Sequence, residues 1–376
     1  MRSLSVAYLE PFDGGSHARF TQAIAEMAWA TVTRFTLPAR HWKWRMRGSA
    51  SYFAFEHADA LAQPFDLLLA SAYLPLAELL GLVPSLSTLP KVLYFHENQL
   101  AYPVHPGRAD PRDQHFAFTQ IVSGLAATRL AFNSEHNRRS FLEGAASRLA
   151  SMPDAVSPHW MEHLRERSEV WPLPLDLPST PRIADLPKDE RADGPLIVWN
   201  HRWEFDKRPE AFFGALEALQ ARGVAFRLAV CGHRFRQTPP AFDRARERLA
   251  AHIEHWGTLA TEEAYRALLE RAQLCVSTAE HEFFGVSMLE AAHFGARPLV
   301  PDRLAYPEHF PAEDRYRDDA ELVERLARLC TDWTAGAIDL RRDRGKITRP
   351  YLAPTVSALY ESRCRELVAS ARGEGG

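Results

Sequence analysis

The sequence predicts an α/β protein made of two doubly wound domains, and three observations carry that expectation. Its 376 residues suit two domains better than one. Short apolar runs alternate with amphipathic stretches, as in parallel sheets with crossover helices. A proline-dense segment interrupts this alternation, which then starts afresh.

In the first half, strands are expected at 4–9, 31–37, 66–70, 91–95 and 129–132, with helices at 16–28, 114–126 and 134–142. Between Pro172 and Pro181 stand four prolines, which can continue neither a helix nor a central strand. The pattern resumes with strands at 196–199, 226–231, 273–277 and 297–300. Helices are expected at 208–222, 239–251, 262–272 and 285–294, and from 351 to 371, the last interrupted early by Pro354. The expected division is an N-terminal Rossmann-like domain over 1–175, a linker over 176–192, a second Rossmann-like domain over 193–350, and a C-terminal helix over 351–376 that packs back on the first domain. In such folds ligands bind beyond the carboxyl ends of the strands, here in a cleft that the two domains are expected to face.

Composition narrows the function. Hydrophobic residues make up 46%, enough for packed cores. A net charge of -3 and a pI near 6.6 exclude a globally basic nucleic-acid binder but leave room for a local basic patch. Cys231, Cys275, Cys330 and Cys364 have neither Cys-x-x-Cys nor zinc spacing. Buried free thiols in a reducing compartment are expected. The N-terminal apolar run is too short for a signal peptide and meets Glu10 and Asp13. No run reaches membrane-spanning length. The expectation is a cytoplasmic protein with no membrane contact and no obligate protein partner.

Four segments carry chemistry. After the first strand, Gly14-Gly15-Ser16-His17 allows close backbone approach, with Ser16 available to cap the next helix. It is either a tight turn or a site for phosphate or sugar oxygens. At the end of a strand, His96, Glu97 and Asn98 place three polar side chains at the ligand edge. The next segment, from Trp199 to Lys207, follows the first strand of the second domain. Arg202 and Lys207 there can form a metal-free diphosphate clamp, favoured over a surface loop in which they pair with Glu204 and Asp206. Last comes Glu282-Phe-Phe-Gly-Val-Ser-Met-Leu-Glu290, two carboxylates eight positions apart across Phe284 and Gly285. One suits sugar hydroxyls. The other falls inside an apolar helix, where a carboxylate needs a partner such as a ribose.

Together these segments resemble the retaining GT-B glycosyltransferases with a Glu-x7-Glu signature. The resemblance implies that Arg202 and Lys207 bind the donor diphosphate, Glu290 the nucleotide ribose and Glu282 the transferred sugar. It also implies that His96 sits near that sugar, Gly15 near the phosphates, and Phe284 and Gly285 at the donor. A narrower resemblance covers nearly the whole chain. The stretches Tyr8–His17, Thr36–Arg45, Tyr94–Pro103, Phe132–Ser134, His201–Lys207 and Ser277–Pro311 look like the glycosyltransferase-like family that includes the tRNA-queuosine alpha-mannosyltransferase. The family's animal members carry an insertion before the second domain, where this chain has only the proline-rich linker. The resemblance implies transfer of mannose from GDP-mannose to a cyclopentene hydroxyl of queuosine at the wobble position of tRNA-Asp, with no metal and no cofactor.

An RNA contact has its own candidates. The segment from Arg40 to Arg47 interleaves cations with Trp42 and Trp44; Lys43 and Arg45 can meet phosphates while the indoles stack on splayed bases. It reads equally as an amphipathic stretch with its tryptophans packed inward. His17, Glu97 and Asn98 complete the acceptor candidates. Other basic clusters are Arg138-Arg139 and Arg341–Lys346, the second of which carries little weight because a charge run is usually a solvated face. Three other readings remain: a glycosyltransferase acting on a lipid, glycan or small molecule, a silent nucleotide- or tRNA-binding module, and an NAD enzyme, which lacks the glycine fingerprint.

Overall fold

The computed structural model describes residues 2–102, 114–180, 183, 188–234 and 238–373. Pro103 of the His96 motif and most of the segment between Thr180 and Lys188 lie outside the described residues. The chain divides into two compact units. One comprises Met1–Asp176 with Tyr351–Gly376, and the other is Leu177–Pro350.

The first unit holds six parallel strands: β1 (Leu4–Asp13), β2 (Ala30–Pro38), β3 (Leu67–Ser71), β4 (Lys91–Phe95), β5 (Arg129–Phe132) and β6 (Ser168–Val170). Their spatial order is β2-β1-β3-β4-β5-β6. The order reverses between β1 and β3, so a crevice opens beyond their carboxyl ends. Strand β3 is buried along its whole length, as a parallel strand covered on both faces must be. The register of β1 on β2 shifts between Glu10 and Asp13, a local irregularity of the kind that re-aims a side chain.

The second unit repeats the plan with β7 (Leu196–Trp199), β8 (Arg227–Val230), β9 (Ile253–Trp256), β10 (Leu274–Val276), β11 (Arg297–Pro301) and β12 (Arg315–Tyr316). Their order is β12-β11-β10-β7-β8-β9, all parallel, with the reversal between β7 and β10. Its core joins Trp199, Trp203, Phe212, Phe213 and Phe242, with Trp203 stacked on Phe242 at 4.1 Å.

Several local expectations change. Ser16 caps nothing: the helix Ser16–Ala25 begins on it, and Gly15, at φ 57°, holds the cap position with no side-chain bond. Pro354 does not interrupt the C-terminal helix Ala353–Arg372 but lies in its first turn, where its missing N–H has no intrahelical partner to lose. This helix belongs to the first unit: Tyr360 donates to the Pro172 carbonyl, and Arg372 pairs with Asp66. The expected helix at 239–251 shortens to Ala241–Arg248 followed by a tight turn. Strands β6, β9 and β12 are too short or too polar to stand out in the sequence. The cation–indole segment opens the helix Trp42–Glu56, which no clear apolar periodicity announces. The basic run Arg341–Lys346 is not a surface patch, because Arg341 and Arg344 are buried and donate to backbone carbonyls of Phe294, Gly295 and Leu340.

Candidate active site

In the second unit the motifs gather where the strand order reverses. The segment Asn200–Lys207 leaves β7, and the segment Ser277–Gly285 leaves its neighbour β10. Lys207 is buried. Its Nζ lies 3.4 Å from Glu282 Oε2 and 3.3 Å from Asp206 Oδ2, and donates to the His281 carbonyl. Thr278 fixes this arrangement by donating to the Lys207 carbonyl at 2.7 Å.

Glu282 closes the turn it sits in. Its Oε1 accepts the amides of Phe284 and Gly285 at 3.3 and 3.0 Å. Gly285 then starts the helix Val286–His293 at φ 89°, a left-handed conformation suited to glycine. Phe284 is buried edge-on against His309, which bonds its carbonyl. Burial tends to raise the Glu282 pKa. Lys207, His201, the Phe284 amide and His281 outweigh it and bring it down to about 2. The same cation works with burial on His201 and His281, both lowered to about 4. The site therefore holds an ionised carboxylate and two neutral imidazoles beside one buried ammonium group.

Glu290 lies in the same helix and is buried. Tyr265 donates its hydroxyl to Glu290 Oε2 at 2.9 Å and accepts from Asn200 Nδ2 at the same distance. The partner that sequence reasoning assigned to a ribose is thus already supplied in part by a phenol. Arg202 stands at the start of the β7 loop, 45% exposed, and pairs with Glu204 at 2.9 Å. Both cations of the expected clamp are therefore paired within the chain, Arg202 with Glu204 and Lys207 with Asp206 and Glu282.

The first-unit residues gather at the other reversal. His96 follows β4, Gly15 and His17 follow β1, and Tyr73 follows β3. His17 and His96 are buried with ring centroids 4.0 Å apart. Glu97 accepts the Tyr73 hydroxyl at 2.5 Å. Asn98 turns inward: its amide donates to Asn137 Oδ1 and Ser140, and its Oδ1 accepts the Ala101 amide. These bonds hold the loop and leave Asn98 committed to structure. Motif reading passed over Glu10, a fully buried carboxylate bonded to His17. The available signal was a carboxylate directly after the apolar run 4–9.

The RNA candidates separate. Trp42 is half-buried against Phe116, with Lys43 over its ring. Arg45 is half-buried near the Pro38 carbonyl. Trp44 is 64% exposed, and Tyr52 and Phe55 further along the same helix are exposed too. Gly48, one turn on, lies under the Trp44 indole, since a Cβ there would stand 2.9 Å from the ring. A glycine in mid-helix thus lets the indole lie along the helix with its outer face open.

Residues 5–175 match the model of the tRNA-queuosine alpha-mannosyltransferase N-terminal region. The tRNA-queuosine alpha-mannosyltransferase of Drosophila melanogaster is 37% identical over 335 residues, covering 86% of each chain. Among solved structures, sucrose-phosphate synthase from Thermosynechococcus elongatus superposes with a TM-score of 0.68 at 14% identity, over 98% of this chain and 100% of that one. HepE from Anabaena, solved with UDP and glucose, gives 0.66 at 13% identity, over 96% and 99%. Two parallel six-stranded sheets and these structural neighbours define the GT-B glycosyltransferase fold. Sequence identity goes further than fold. The chain belongs to the tRNA-queuosine alpha-mannosyltransferase family and is a hexosyltransferase.

Proposed function

We propose that this enzyme transfers mannose from GDP-mannose to a cyclopentene hydroxyl of queuosine at the wobble position of tRNA-Asp, with retention at the anomeric carbon. The contact between Lys207 and Glu282 carries the reading. A buried cation beside an ionised carboxylate, at the reversal of a parallel sheet, suits a ligand that is both anionic and hydroxylated. Family membership supplies the acceptor: the Drosophila relative is named for queuosine in tRNA.

In this reading Lys207 and Arg202 hold the diphosphate, with Arg202 exchanging Glu204 for phosphate. In the first unit the Gly15 backbone is open to a phosphate or sugar oxygen; in the second, Phe284 and Gly285 shape the donor pocket, and Glu290 with Tyr265 binds the ribose. Glu282 grips the mannose hydroxyls, and His96 offers its ring nitrogens to a sugar hydroxyl. The bond from the anomeric carbon to the phosphate oxygen breaks, and the acceptor oxygen attacks from the same face. Its proton passes to a donor phosphate oxygen. Fixed cations stabilise the departing charge, so no metal and no cofactor is required. Activity lost to a chelator and restored by manganese would contradict that.

For the acceptor, Trp44 offers a stacking face, Lys43, Arg45 and Arg47 offer phosphate contacts, and Trp42 braces the segment. His17 and Glu97 border the first-unit site. Four buried free cysteines suit a reducing cytoplasm. No described helix is long and apolar enough to cross a membrane.

The test is mass spectrometry of tRNA nucleosides after incubation with GDP-mannose and queuosine-containing tRNA-Asp. A hexose added to queuosine is expected. Unchanged queuosine with GDP-mannose and with other nucleotide sugars would reject the reading.

A further inference from the structure

The first unit holds a buried cluster of Glu10, His17 and His96, in which only the two histidines belong to motifs singled out in the sequence. Glu10 is fully buried in β1, and both its oxygens are bonded. Oε1 accepts the Phe12 amide at 2.9 Å, while Oε2 accepts the Tyr8 hydroxyl at 3.2 Å and His17 Nδ1 at 3.0 Å. The same Oε2 lies 3.8 Å from His96 Nε2. His96 is buried against Phe20 and Tyr94, yet neither of its ring nitrogens has a hydrogen-bond partner among the described residues.

We propose that Glu10 is a positioning residue for His96 and acts through His17. Its carboxylate keeps His17 doubly protonated, and the His17 imidazolium keeps His96 a neutral imidazole with open nitrogens for a hydroxylated ligand.

Three physical points support this. A carboxylate removed from water needs a compensating charge, and of its bonded partners, the Phe12 amide, Tyr8 and His17, only His17 can become a cation. Two imidazolium rings at 4.0 Å would repel, so the pair holds one proton beyond neutrality, not two. Unpartnered buried nitrogens carry a penalty that a bound hydroxyl would relieve.

The surrounding groups agree. Facing His17 are Glu10 and Asp13 from β1, Tyr73 after β3, and Glu97 and His96 after β4, with Tyr8 bonded to Glu10. Burial opposes charge on His17, but the Glu10 charge and hydrogen bond outweigh it and raise the His17 pKa. Facing His96 are His17, Glu10 and Tyr94, with Tyr360 of the C-terminal helix behind Phe20 and Tyr94. Burial and then the His17 charge hold the His96 pKa well below its ordinary value.

That His96 meets a sugar hydroxyl rests on the function proposed above; the protonation pattern does not. The experiment is 15N histidine NMR of the full-length protein, without substrate, across pH 5–8. Expected is a His17 ring protonated at both nitrogens at pH 7 and a His96 ring neutral to pH 5. In Glu10→Gln, His17 becomes neutral at pH 7. With tRNA and GDP-mannose, Glu10→Gln lowers kcat/KM about tenfold or more, and Glu10→Asp restores part of the loss. A neutral His17 at pH 7 in the wild type overturns the proposal even if Glu10→Gln fails to fold. So does one equivalent of zinc in the purified protein, because an ion would take the place of the His17 proton. If the NMR pattern holds while tRNA is not modified, the assigned substrate fails and the protonation chain stands.

Discussion

Lys207 Nζ and Glu282 Oε2 lie 3.4 Å apart although 75 positions separate the residues in sequence. One follows β7 and the other follows β10, and only the adjacency of those strands brings them together. The pair links the two motifs of the second unit into one site.

If Glu282 grips the transferred sugar, Glu282→Ala lowers turnover by about 10²–10³ while GDP binding stays within a few-fold of wild type. Single-turnover assays and calorimetry with GDP separate the two. Equal turnover in variant and wild type would remove Glu282 from the site.

Removing the cation is a different perturbation. Lys207→Ala leaves Asp206 and Glu282 without their shared ammonium group and should destabilise the protein by about 3–5 kcal/mol. GDP affinity should fall as well. Urea denaturation reads the first effect. A variant as stable as wild type would show that the buried pairs contribute little.

Acid has a defined effect through Glu282. Its folded pKa is depressed to about 2, so its stabilising contribution is present above the ordinary carboxylate pKa and is lost as pH falls toward about 2. The stability gap between wild type and Glu282→Gln should therefore be full at pH 6 and narrow between pH 4 and pH 2. A gap that widens on acidification would reverse the sign of the argument.

Gly285 tests the turn that seats Glu282. At φ 89° an alanine is strained, and its Cβ would stand 3.1 Å from the Tyr306 ring. Gly285→Ala should lose about 1–2 kcal/mol and lower kcat with it. A thermal melt unchanged within error would show that the turn can relax.

The exposed indole tests the acceptor side. Trp44→Ala should raise KM for tRNA about tenfold, equivalent to ~1.4 kcal/mol and within the range for one base-stacking contact. GDP affinity should not change. Tight tRNA binding in Trp44→Ala, with an unaltered salt slope, would place the RNA elsewhere.

Much of this protein was legible in its residues. The alternation of apolar runs with helical stretches specified parallel sheets, because side-chain periodicity reflects which faces are buried. Glu282 and Glu290, Arg202 and Lys207, and the His96 segment stood out as polar groups at the ends of apolar runs. The helix Trp42–Glu56 escaped because the face it buries, Met46, Ser49, Ala50, Phe53 and Ala54, includes small and polar residues while Trp44, Tyr52 and Phe55 stand exposed, so hydrophobicity does not separate its faces. Ser16 and Pro354 were assigned local roles that a shift of one or two residues at a helix start removed.

Tertiary structure decided what those residues touch. The sheet orders set β7 beside β10, and β1 beside β3 and one strand from β4. Only then do Lys207 and Glu282, or Glu10, His17 and His96, come within a few ångströms. Periodicity records which face of an element is buried but not which element lies next to it. The pairing of Arg202 with Glu204, the inward turn of Asn98 and the exposure of Trp44 rather than Trp42 all depend on that second kind of information.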